Sequence, residues 1–328
     1  MSTTGLHHIT AVAKDPQTNI DFYQQVLGQR LVKTTINFDD PGTYHLYYGD
    51  NLGSPGTALT FFPWMHMQRG QRGAGETTSI EYAVLQGSLS YWAARLKQFG
   101  FAPGRVESNF GQEVLPFTDP DGMRIRLVAV SNPPQYPLWP GSPIPAEHQL
   151  DGFLGVTLEL NEVEPTAVVL TEALGYRFVG QEGPRYRYVA SEASAANGGS
   201  LGSHVDILNS PLASENRFGA GSIHHIAFRA ADDAHQAELR RKVIEIGEHP
   251  TQVIDRQYFR SVYFRTPGGV LFEIATDDPG FTFDESVDQL GGSLRLPRWM
   301  ETRRTEIEAA LPSIRRTMPQ VTEVSGDG

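Results

Sequence analysis

The chain contains no cysteine among its 328 residues. This absence excludes disulfide bonds, zinc sites built on thiolates, and iron–sulfur clusters held by cysteine. Any metal that the protein binds must therefore take nitrogen and oxygen ligands, from histidine and from carboxylates. A chain without disulfides also suits a reducing compartment, and we expect the protein to be cytoplasmic.

Long apolar runs and an excess of positive charge are lacking as well. No stretch approaches the ~20 consecutive apolar residues of a membrane-spanning helix, and the opening MSTTGLHHIT has no basic segment followed by an apolar one. Lysine and arginine number 27 against 38 aspartate and glutamate residues, a formal net charge of -11. We therefore expect neither nucleic acid nor membrane as a partner, because both are anionic. The sequence leaves the oligomeric state open, a homo-oligomer included.

What the chain does contain is a fourfold repeat. Four strand-like segments are each followed by a helix with apolar periodicity, and these helices are predicted to end at Gly28, Gly100, Gly175 and Gly247. The glycines recur at intervals of 72, 75 and 72 residues, and glycine supplies the left-handed conformation that commonly ends a helix. Further strand patterns follow each helix, so every unit is predicted to be a βαβββ module.

Composition groups the four modules into two pairs. A proline-rich stretch from Pro133 to Pro145 has the character of an interdomain linker. The tail beyond the repeats is predicted to hold one helix, around Arg298 to Leu311, and to end in a disordered segment, VSGDG. The predicted boundaries are an N-terminal domain of two modules over 1–130, a linker over 131–150, a C-terminal domain of two modules over 151–276, and a tail over 277–328.

The tandem βαβββ organisation resembles the vicinal oxygen chelate superfamily, which includes glyoxalase I, extradiol ring-cleaving dioxygenases and bleomycin-resistance proteins. The resemblance covers roughly residues 5–276. It implies an α+β fold in which four modules, in two domains, form curled mixed sheets around a cavity that holds a metal or a ligand.

Two modules carry matched histidines in their opening strands, His8 in LHHIT and His225 in IHHIA. Aligning the modules on their last strands brings Glu273 of the fourth module to the third position that a metal site needs. The repeats therefore predict one metal ion bound by His8, His225 and Glu273. The other modules offer no such set: the positions matched to His8 are Tyr82 and Gly155, and those matched to Glu273 are Thr60, Arg126 and Asp206.

The alternation of side chains along a strand supports the choice of the second histidine in each pair. His225 lies on one face of its strand, whereas His224 falls with Ile226 and Phe228 on the apolar face. We expect His7 and His224 to face the helix layer or to support the ligands.

The same alternation places Glu273 opposite the apolar Phe272. A carboxylate in such a strand is costly to bury without a partner, and a metal ion is a suitable one. His45, on a middle strand of the first module, is a further candidate for the cavity lining.

Two imidazoles and one carboxylate on one side of a metal leave about three coordination positions open. This arrangement suits Fe(II) that binds both a substrate and O₂. Mn(II), Zn(II) and Ni(II) take the same ligands, so the residues alone leave the metal open.

Longer segments resemble the hydroquinone (para-diol) ring-cleaving dioxygenases more specifically. They are spread over both halves of the chain and include GLHHIT, FYQQVLGQRLVKTT, YHLYYGDNLGSPGTALTFFPW, GSIHHIAF and DRQYFRSVYFRTPGGVLFEIATDDPGF. The resemblance implies an Fe(II) site at His8, His225 and Glu273, between the first and last modules. It implies a small aromatic substrate, O₂ as the second substrate, and cleavage beside a hydroxylated carbon.

Two catalytic candidates precede Glu273 in the chain, and one of them, Tyr263, lies on the strand before it. Tyr263 should face the cavity, where its phenol can hydrogen-bond the reacting oxygens or relay a proton. Arg256 can stabilise negative charge on the substrate. Tyr258 is the alternate to these two, and Phe62 and Trp64 are candidates for an aromatic pocket.

Two other functions compete with ring cleavage. A glyoxalase-like isomerase or lyase would need a further metal-bound carboxylate as base, and Thr60 stands where the first module would supply it. A non-catalytic small-molecule-binding member of the superfamily would lack the metal ligands.

Overall fold

The structure is a computed structural model that describes residues 2–131, 135–190 and 201–316. In these ranges the chain forms two eight-stranded sheets with helices packed against them, and each module contributes one helix and four strands. The predicted α+β fold of tandem βαβββ modules is thereby confirmed. No helix in the described ranges combines the length and apolar character needed to cross a membrane.

The first sheet combines the first and fourth modules. At its centre the opening strands of these modules are antiparallel neighbours, and each has the last strand of its own module parallel on its other side. With strands numbered along the chain, the spatial order is β14 (Ile254–Asp255), β15 (Arg260–Arg265), β16 (Leu271–Thr276), β13 (Ile223–Ala230), β1 (Leu6–Ala13), β4 (Ala58–Pro63), β3 (Asp40–Gly49) and β2 (Arg30–Asn37).

The second sheet combines the second and third modules in the same way. Each sheet therefore draws strands from both predicted sequence domains, whose boundaries stay a prediction. The spatial order is β10 (Tyr176–Glu182), β11 (Arg185–Ala190), β12 (His204–Asn209), β9 (Phe153–Leu160), β5 (Glu76–Leu85), β8 (Arg124–Val130), β7 (Gln112–Thr118) and β6 (Glu107–Asn109).

The module helices end where the sequence predicts. All four predicted glycines have positive φ, from 70° at Gly28 to 93° at Gly247, the conformation that ends a helix at low cost only for glycine. In the first and third modules a π-helical turn continues the helix, over Phe22–Val26 and Val169–Ala173. The helices are α1 (Pro16–Asp21), α2 (Leu89–Gln98), α3 (Glu164–Val168) and α4 (Asp233–Glu245).

The apolar core fixes which face of each central strand is left for chemistry. Ile226 of β13 and Phe272 of β16 are fully buried together with Leu239 of α4, in the main core cluster. Because neighbouring side chains alternate, this packing leaves His225 and Glu273 on the opposite face.

Strand pairing in the second sheet corrects one predicted equivalence between modules. In the first sheet Glu273 pairs with Ala227, which lies two residues after His225. In the second sheet Arg126 pairs with Glu81, so the counterpart of His8 is Ser79. The predicted match to Tyr82 is wrong, because aligning first strands by apolar pattern alone shifted the register. Tyr82 packs in the apolar core.

Ion pairs occupy the region of the second sheet that corresponds to the predicted metal site. Arg126 Nε donates to Glu81 at 3.0 Å, and His204 Nε2 lies 3.0 Å from the other oxygen of the same carboxylate. Arg187 binds both oxygens of Asp206 at 2.8 Å. Guanidinium groups therefore already neutralise both carboxylates.

The C-terminal tail packs against the first sheet at β2. Lys33 is fully buried, and its Nζ contacts Asp284 at 2.6 Å and also Glu285. Phe281 and Leu290 join a buried cluster with Ala227 and Ala275, which lie on the same strand face as the predicted metal ligands. The tail therefore packs beside the predicted site, on the same side of the sheet.

The remaining described elements are short. One helix was predicted around 298–311, and the structure has a 3₁₀ turn over Arg298–Arg303 followed by α5 (Arg304–Ala310). Further 3₁₀ turns occupy Ala146–His148, Phe281–Phe283 and Val287–Gln289. The VSGDG segment predicted to be disordered, and residues 132–134 of the predicted linker, lie outside the described residues.

Candidate metal centre

Three side chains with ligand chemistry converge on the inner face of the first sheet. The Nε2 atoms of His8 and His225 are 3.4 Å apart. Glu273 Oε2 lies 3.2 Å from Nε2 of His8 and 2.9 Å from Nε2 of His225. All three residues are buried, and among the described residues they form the one cluster of three or more histidine and carboxylate groups close enough to share an ion.

Strand register explains this convergence. On the antiparallel pair β1 and β13, Thr10 is opposite His225 and His8 is opposite Ala227. On the parallel pair β13 and β16, Ala227 lies beside Glu273. Residues two positions apart on a strand share a face, so the two histidines and the glutamate emerge on the same side of the sheet.

The geometry fits a metal ion. Ligands held about 2.1 Å from one ion at right angles lie about 3.0 Å apart, and the three separations are 2.9, 3.2 and 3.4 Å. Within the described chain, Glu273 Oε2 is buried without an aligned hydrogen bond. A cation between the three side chains would satisfy this oxygen. Two imidazoles and a carboxylate form a donor set for a first-row divalent metal.

Ser261 fixes the orientation of the glutamate. Its Oγ donates to Glu273 Oε1 at 2.5 Å, and the serine is fully buried. The hydrogen bond leaves Oε2 to face the two histidines. Ser261 was not among the residues predicted from the sequence, although strand alternation gives the signal: it lies two residues before Tyr263, on the same face of β15.

The protonation states suit metal binding. Burial raises the pKa of Glu273, but attraction to His8 and His225 outweighs burial, and its pKa lies well below its usual value. Burial lowers the pKa of His225 from its ordinary value, although Glu273 opposes this shift. Near neutral pH the carboxyl is therefore ionised and His225 is neutral, which are the forms that coordinate a metal.

Each candidate ligand histidine touches the histidine that precedes it in the chain. The Nδ1 atoms of His7 and His8 are 2.9 Å apart, and those of His224 and His225 are 2.7 Å apart. A histidine that binds metal through Nε2 carries its hydrogen on Nδ1, and the preceding imidazole is placed to accept that hydrogen. This contact agrees with the expectation that His7 and His224 support the ligands.

The expectation that His224 faces the helix layer is wrong. Strand pairing skips this residue, because Thr10 pairs with His225 and Ala11 with Ile223. The resulting bulge turns the His224 ring to the cavity side, where it meets Phe62 edge to face at 5.8 Å.

A cavity of about 420 Å³ opens over the two histidines. Aromatic rings form much of its wall, and the predicted candidates His45, Phe62 and Trp64 are among them. Several other residues also line the cavity, and they come from the end of β2, the β2–β3 turn, β3, the loop before β15 and the start of β16. They are Asn37, Phe38, Asp39, Asp40, Tyr47, Phe259 and Leu271. Of these, only Leu271 was expected on the cavity side, because it shares a strand face with Glu273.

Tyr263 and Arg256 line the same cavity. Arg256 Nε donates to the Tyr263 hydroxyl at 3.3 Å, and another guanidinium nitrogen contacts Asp39 at 3.0 Å. The Tyr263 ring meets the His225 ring edge to face at 5.6 Å. Burial and the charge of Glu273 raise the pKa of Tyr263, so its hydroxyl remains protonated near neutral pH.

His45 belongs to a chain of polar contacts along the cavity wall. Its Nε2 lies 2.8 Å from Thr60 Oγ1, which lies 2.8 Å from Thr10 Oγ1. Its Nδ1 lies 2.8 Å from the Tyr47 hydroxyl. Burial lowers the pKa of His45 well below its usual value, so the ring is neutral near neutral pH.

Tyr258 is absent from the described residues that line the cavity. Its hydroxyl donates to Asp284 of the tail at 3.0 Å, and Lys33 Nζ lies 4.9 Å from the centre of its ring. The tyrosine is buried and contacts the tail, whereas Tyr263 lines the cavity.

Comparisons with known proteins agree with this architecture. Residues 5–127 match the model of the Glyoxalase/Bleomycin resistance protein/Dioxygenase superfamily. Over 309 residues the chain is 41% identical to "Putative ring-cleaving dioxygenase MhqO" of Bacillus subtilis (strain 168), an alignment that covers 94% of this chain and 96% of that relative. It is 36% identical over 309 residues to "Chlorohydroquinone/hydroquinone 1,2-dioxygenase" of Sphingobium indicum, covering 92% and 94% of the two chains.

A solved structure gives the same result for the whole fold. The crystal structure of a "putative dioxygenase" from Bacillus subtilis subsp. subtilis str. 168 superimposes with a TM-score of 0.90 at 40% identity, covering 97% of this chain and 99% of the other. The chain therefore belongs to the ring-cleaving dioxygenases of the glyoxalase/bleomycin resistance protein/dioxygenase superfamily.

Proposed function

We propose that the protein is an Fe(II)-dependent dioxygenase that cleaves the ring of a hydroquinone-type aromatic beside a hydroxylated carbon. The observation that carries the proposal is the His8–His225–Glu273 cluster at the base of a cavity walled by aromatic side chains. The name of the Sphingobium relative, a hydroquinone dioxygenase, supports the choice of substrate.

The proposed reaction balances without an external reductant. Both atoms of O₂ enter the product while one ring C–C bond breaks. The hydroxylated carbon becomes a carboxyl group and its neighbour becomes an aldehyde. When bound, Fe(II) supplies open positions for a substrate oxygen and for O₂ and lets electron density pass from the ring to O₂.

The cavity residues would hold the aromatic ring and exclude water. Phe62, Trp64 and Phe259 offer apolar faces and edges against which a planar ring can pack. Both ring nitrogens of His45 are already in contact with Thr60 and Tyr47, so His45 would hold the Tyr47 hydroxyl, which also lines the cavity, in place to hydrogen-bond a hydroxyl of the substrate. Packing and hydrogen bonding together would orient the ring over the histidines.

Tyr263 and Arg256 are the proposed catalytic residues. Arg256 donates to the Tyr263 oxygen, which leaves the tyrosine proton available for a hydrogen bond to a reacting oxygen. The nearby guanidinium would stabilise negative charge that develops on the ring oxygen and on O₂ as the reaction proceeds. Both effects require only that the substrate oxygens sit above His225, the histidine whose ring Tyr263 contacts.

Fe(II) is proposed over other divalent ions because the ligand set leaves positions for two further molecules. Mn(II), Zn(II) and Ni(II) accept the same three ligands. Measuring O₂ consumption after the metal-free protein is loaded with each ion in turn distinguishes them. Cytoplasmic location stays a prediction from the sequence, and the oligomeric state stays open.

Oxygen consumption tests the proposed function. The metal-free protein is loaded with Fe(II) under anaerobic conditions, mixed with methylhydroquinone, and exposed to air. We expect one O₂ consumed per substrate, with loss of aromatic absorbance. A protein that holds iron but consumes no O₂, or that instead isomerises a thiol hemiacetal without O₂, would contradict the proposal.

A further inference from the structure

A second cavity, of about 620 Å³, adjoins the metal cavity. We call it the side groove; the β15–β16 turn, the start of β13 and the start of β5 form its walls. Among the described residues, only His224 and Leu271 line both cavities. These two side chains therefore form the partition between the side groove and the metal cavity.

Leu271 is the aliphatic half of this partition. It lies two residues before Glu273 on β16, so both side chains are on the same face of the strand. Its backbone pairs with Arg265, next to the turn that forms the outer wall of the side groove. A change of side-chain volume at Leu271 therefore changes the opening between the two cavities directly.

The side groove is apolar next to the partition. Phe218 and Ile223 line it there, and the Phe218 ring meets His224 edge to face at 5.6 Å. Phe218 is 43% exposed, which leaves part of its ring available to a ligand. Farther out, the lining includes charged groups of both signs, the exposed carboxylates of Glu162 and Glu215 and the exposed guanidinium of Arg265. The part of the groove next to the partition therefore suits an uncharged apolar group.

The two cavities together offer room for a ring and a large substituent. An apolar cavity of ~150 Å³ accepts benzene, so the 420 Å³ metal cavity holds one aromatic ring with room for O₂ and a substituent. A substituent that points toward Leu271 can extend past the partition into the adjoining space.

We propose that the side groove is a subsite for an uncharged apolar substituent on the aromatic ring, and that Leu271 sets the size of substituent admitted. The proposal rests on the proposed function, since it concerns the substrate of the same metal cavity. It identifies Leu271 as a specificity-determining residue.

Turnover of two substrates tests the subsite. In Leu271→Ala we expect kcat/KM for phenylhydroquinone, divided by that for methylhydroquinone, to rise on the order of tenfold or more, the scale of discrimination by apolar pockets. Leu271→Phe should lower the same ratio. Phe38→Ala is the matched control, because Phe38 lines the metal cavity but not the side groove. An equal rise in Leu271→Ala and Phe38→Ala would overturn the proposal.

A binding measurement separates the subsite from the reaction. The fluorescence of Trp64, a lining residue of the metal cavity, is titrated with phenol and with 4-phenylphenol, and Trp64→Phe supplies the background. We expect Leu271→Ala to lower the Kd for 4-phenylphenol, relative to the Kd for phenol, by about tenfold. This result in a protein that consumes no O₂ would support the subsite and refute the reaction. Normal turnover with no selective tightening would refute the subsite alone.

Discussion

His8 and His225 are 217 positions apart in the chain, yet their Nε2 atoms lie 3.4 Å apart. Thr10 is opposite His225, just as Ala227 is opposite His8, so the two histidines occupy equivalent places in two modules that face each other. Glu273 breaks this symmetry, because the residue paired with Thr10 on the other side of β1 is Thr60. The pair of modules therefore offers three metal ligands where strict repetition would offer four.

Thr60→Glu restores the missing fourth ligand. We expect iron to be retained while O₂ consumption falls by about 100-fold or more, because a second carboxylate would fill a coordination position that must be open for O₂ or substrate. Thr60→Val, which removes the hydroxyl but adds no ligand, is the control and should keep most of the activity. Full O₂ consumption in an iron-loaded Thr60→Glu protein would refute the role assigned to the open position.

Ser261 is expected to contribute to metal affinity through its hydrogen bond to Glu273. Ser261→Ala frees the carboxylate to rotate and should weaken iron binding by about 10- to 100-fold, the usual effect of losing a group that orients a ligand. Competition with a chelator measures this affinity. Ser261→Thr keeps the hydroxyl and should bind iron nearly as the parent does. Equal affinity in the alanine variant and the parent would show that the carboxylate needs no such support.

Tyr263→Phe tests the assignment of the catalytic tyrosine. Loss of the hydroxyl should lower kcat by about 100-fold, at the lower end of the range for a positioned proton donor, with a smaller effect on KM. The iron content should not change, because the hydroxyl is not a ligand. Tyr258→Phe is the matched control, since that hydroxyl binds Asp284 of the tail. A larger loss of kcat in Tyr258→Phe than in Tyr263→Phe would reverse the assignment.

His45 should make the metal-free protein less stable in mild acid. Its pKa is lowered by burial, and further by His8, His225 and Arg256, while Glu273 opposes the shift. Below the unfolded-state pKa of about 6.5 the unfolded chain therefore binds one more proton at this position than the folded chain does. The free energy of unfolding falls by about 1.4 kcal/mol per pH unit for such a group as the pH drops.

Urea unfolding between pH 6.5 and 5 measures this effect. His45→Gln should remove about that much of the slope, because glutamine does not titrate. A slope identical to that of the parent would show that His45 takes up a proton in the folded state as readily as in the unfolded chain.

Repetition made much of the site predictable from the sequence. The two HH pairs recur at equivalent places, and alternation along β16 separates Glu273 from Phe272, so the three residues that converge in the structure could be predicted as candidate ligands. The helix ends were predictable because Gly28 and its three counterparts have a conformation that favours glycine.

Local irregularity and long-range packing were not predictable in the same way. The side chain of His224 turns into the cavity because a bulge interrupts the pairing of β1 and β13, and alternation assumes that no bulge is present. The predicted equivalence of Tyr82 with His8 was wrong for a related reason, since the register of β5 is set by its hydrogen bonds to β8. The burial of Lys33 against Asp284 and Glu285 joins residues about 250 positions apart, for which no local pattern exists.

Anomalous diffraction at the iron absorption edge, from crystals grown with Fe(II) under anaerobic conditions, tests the central claim most directly. We predict one strong peak at bonding distance, about 2.0–2.3 Å, from Nε2 of His8, Nε2 of His225 and Oε2 of Glu273 together. A protein that contains stoichiometric iron but places its peak elsewhere, or out of reach of any of these three atoms, would contradict the account.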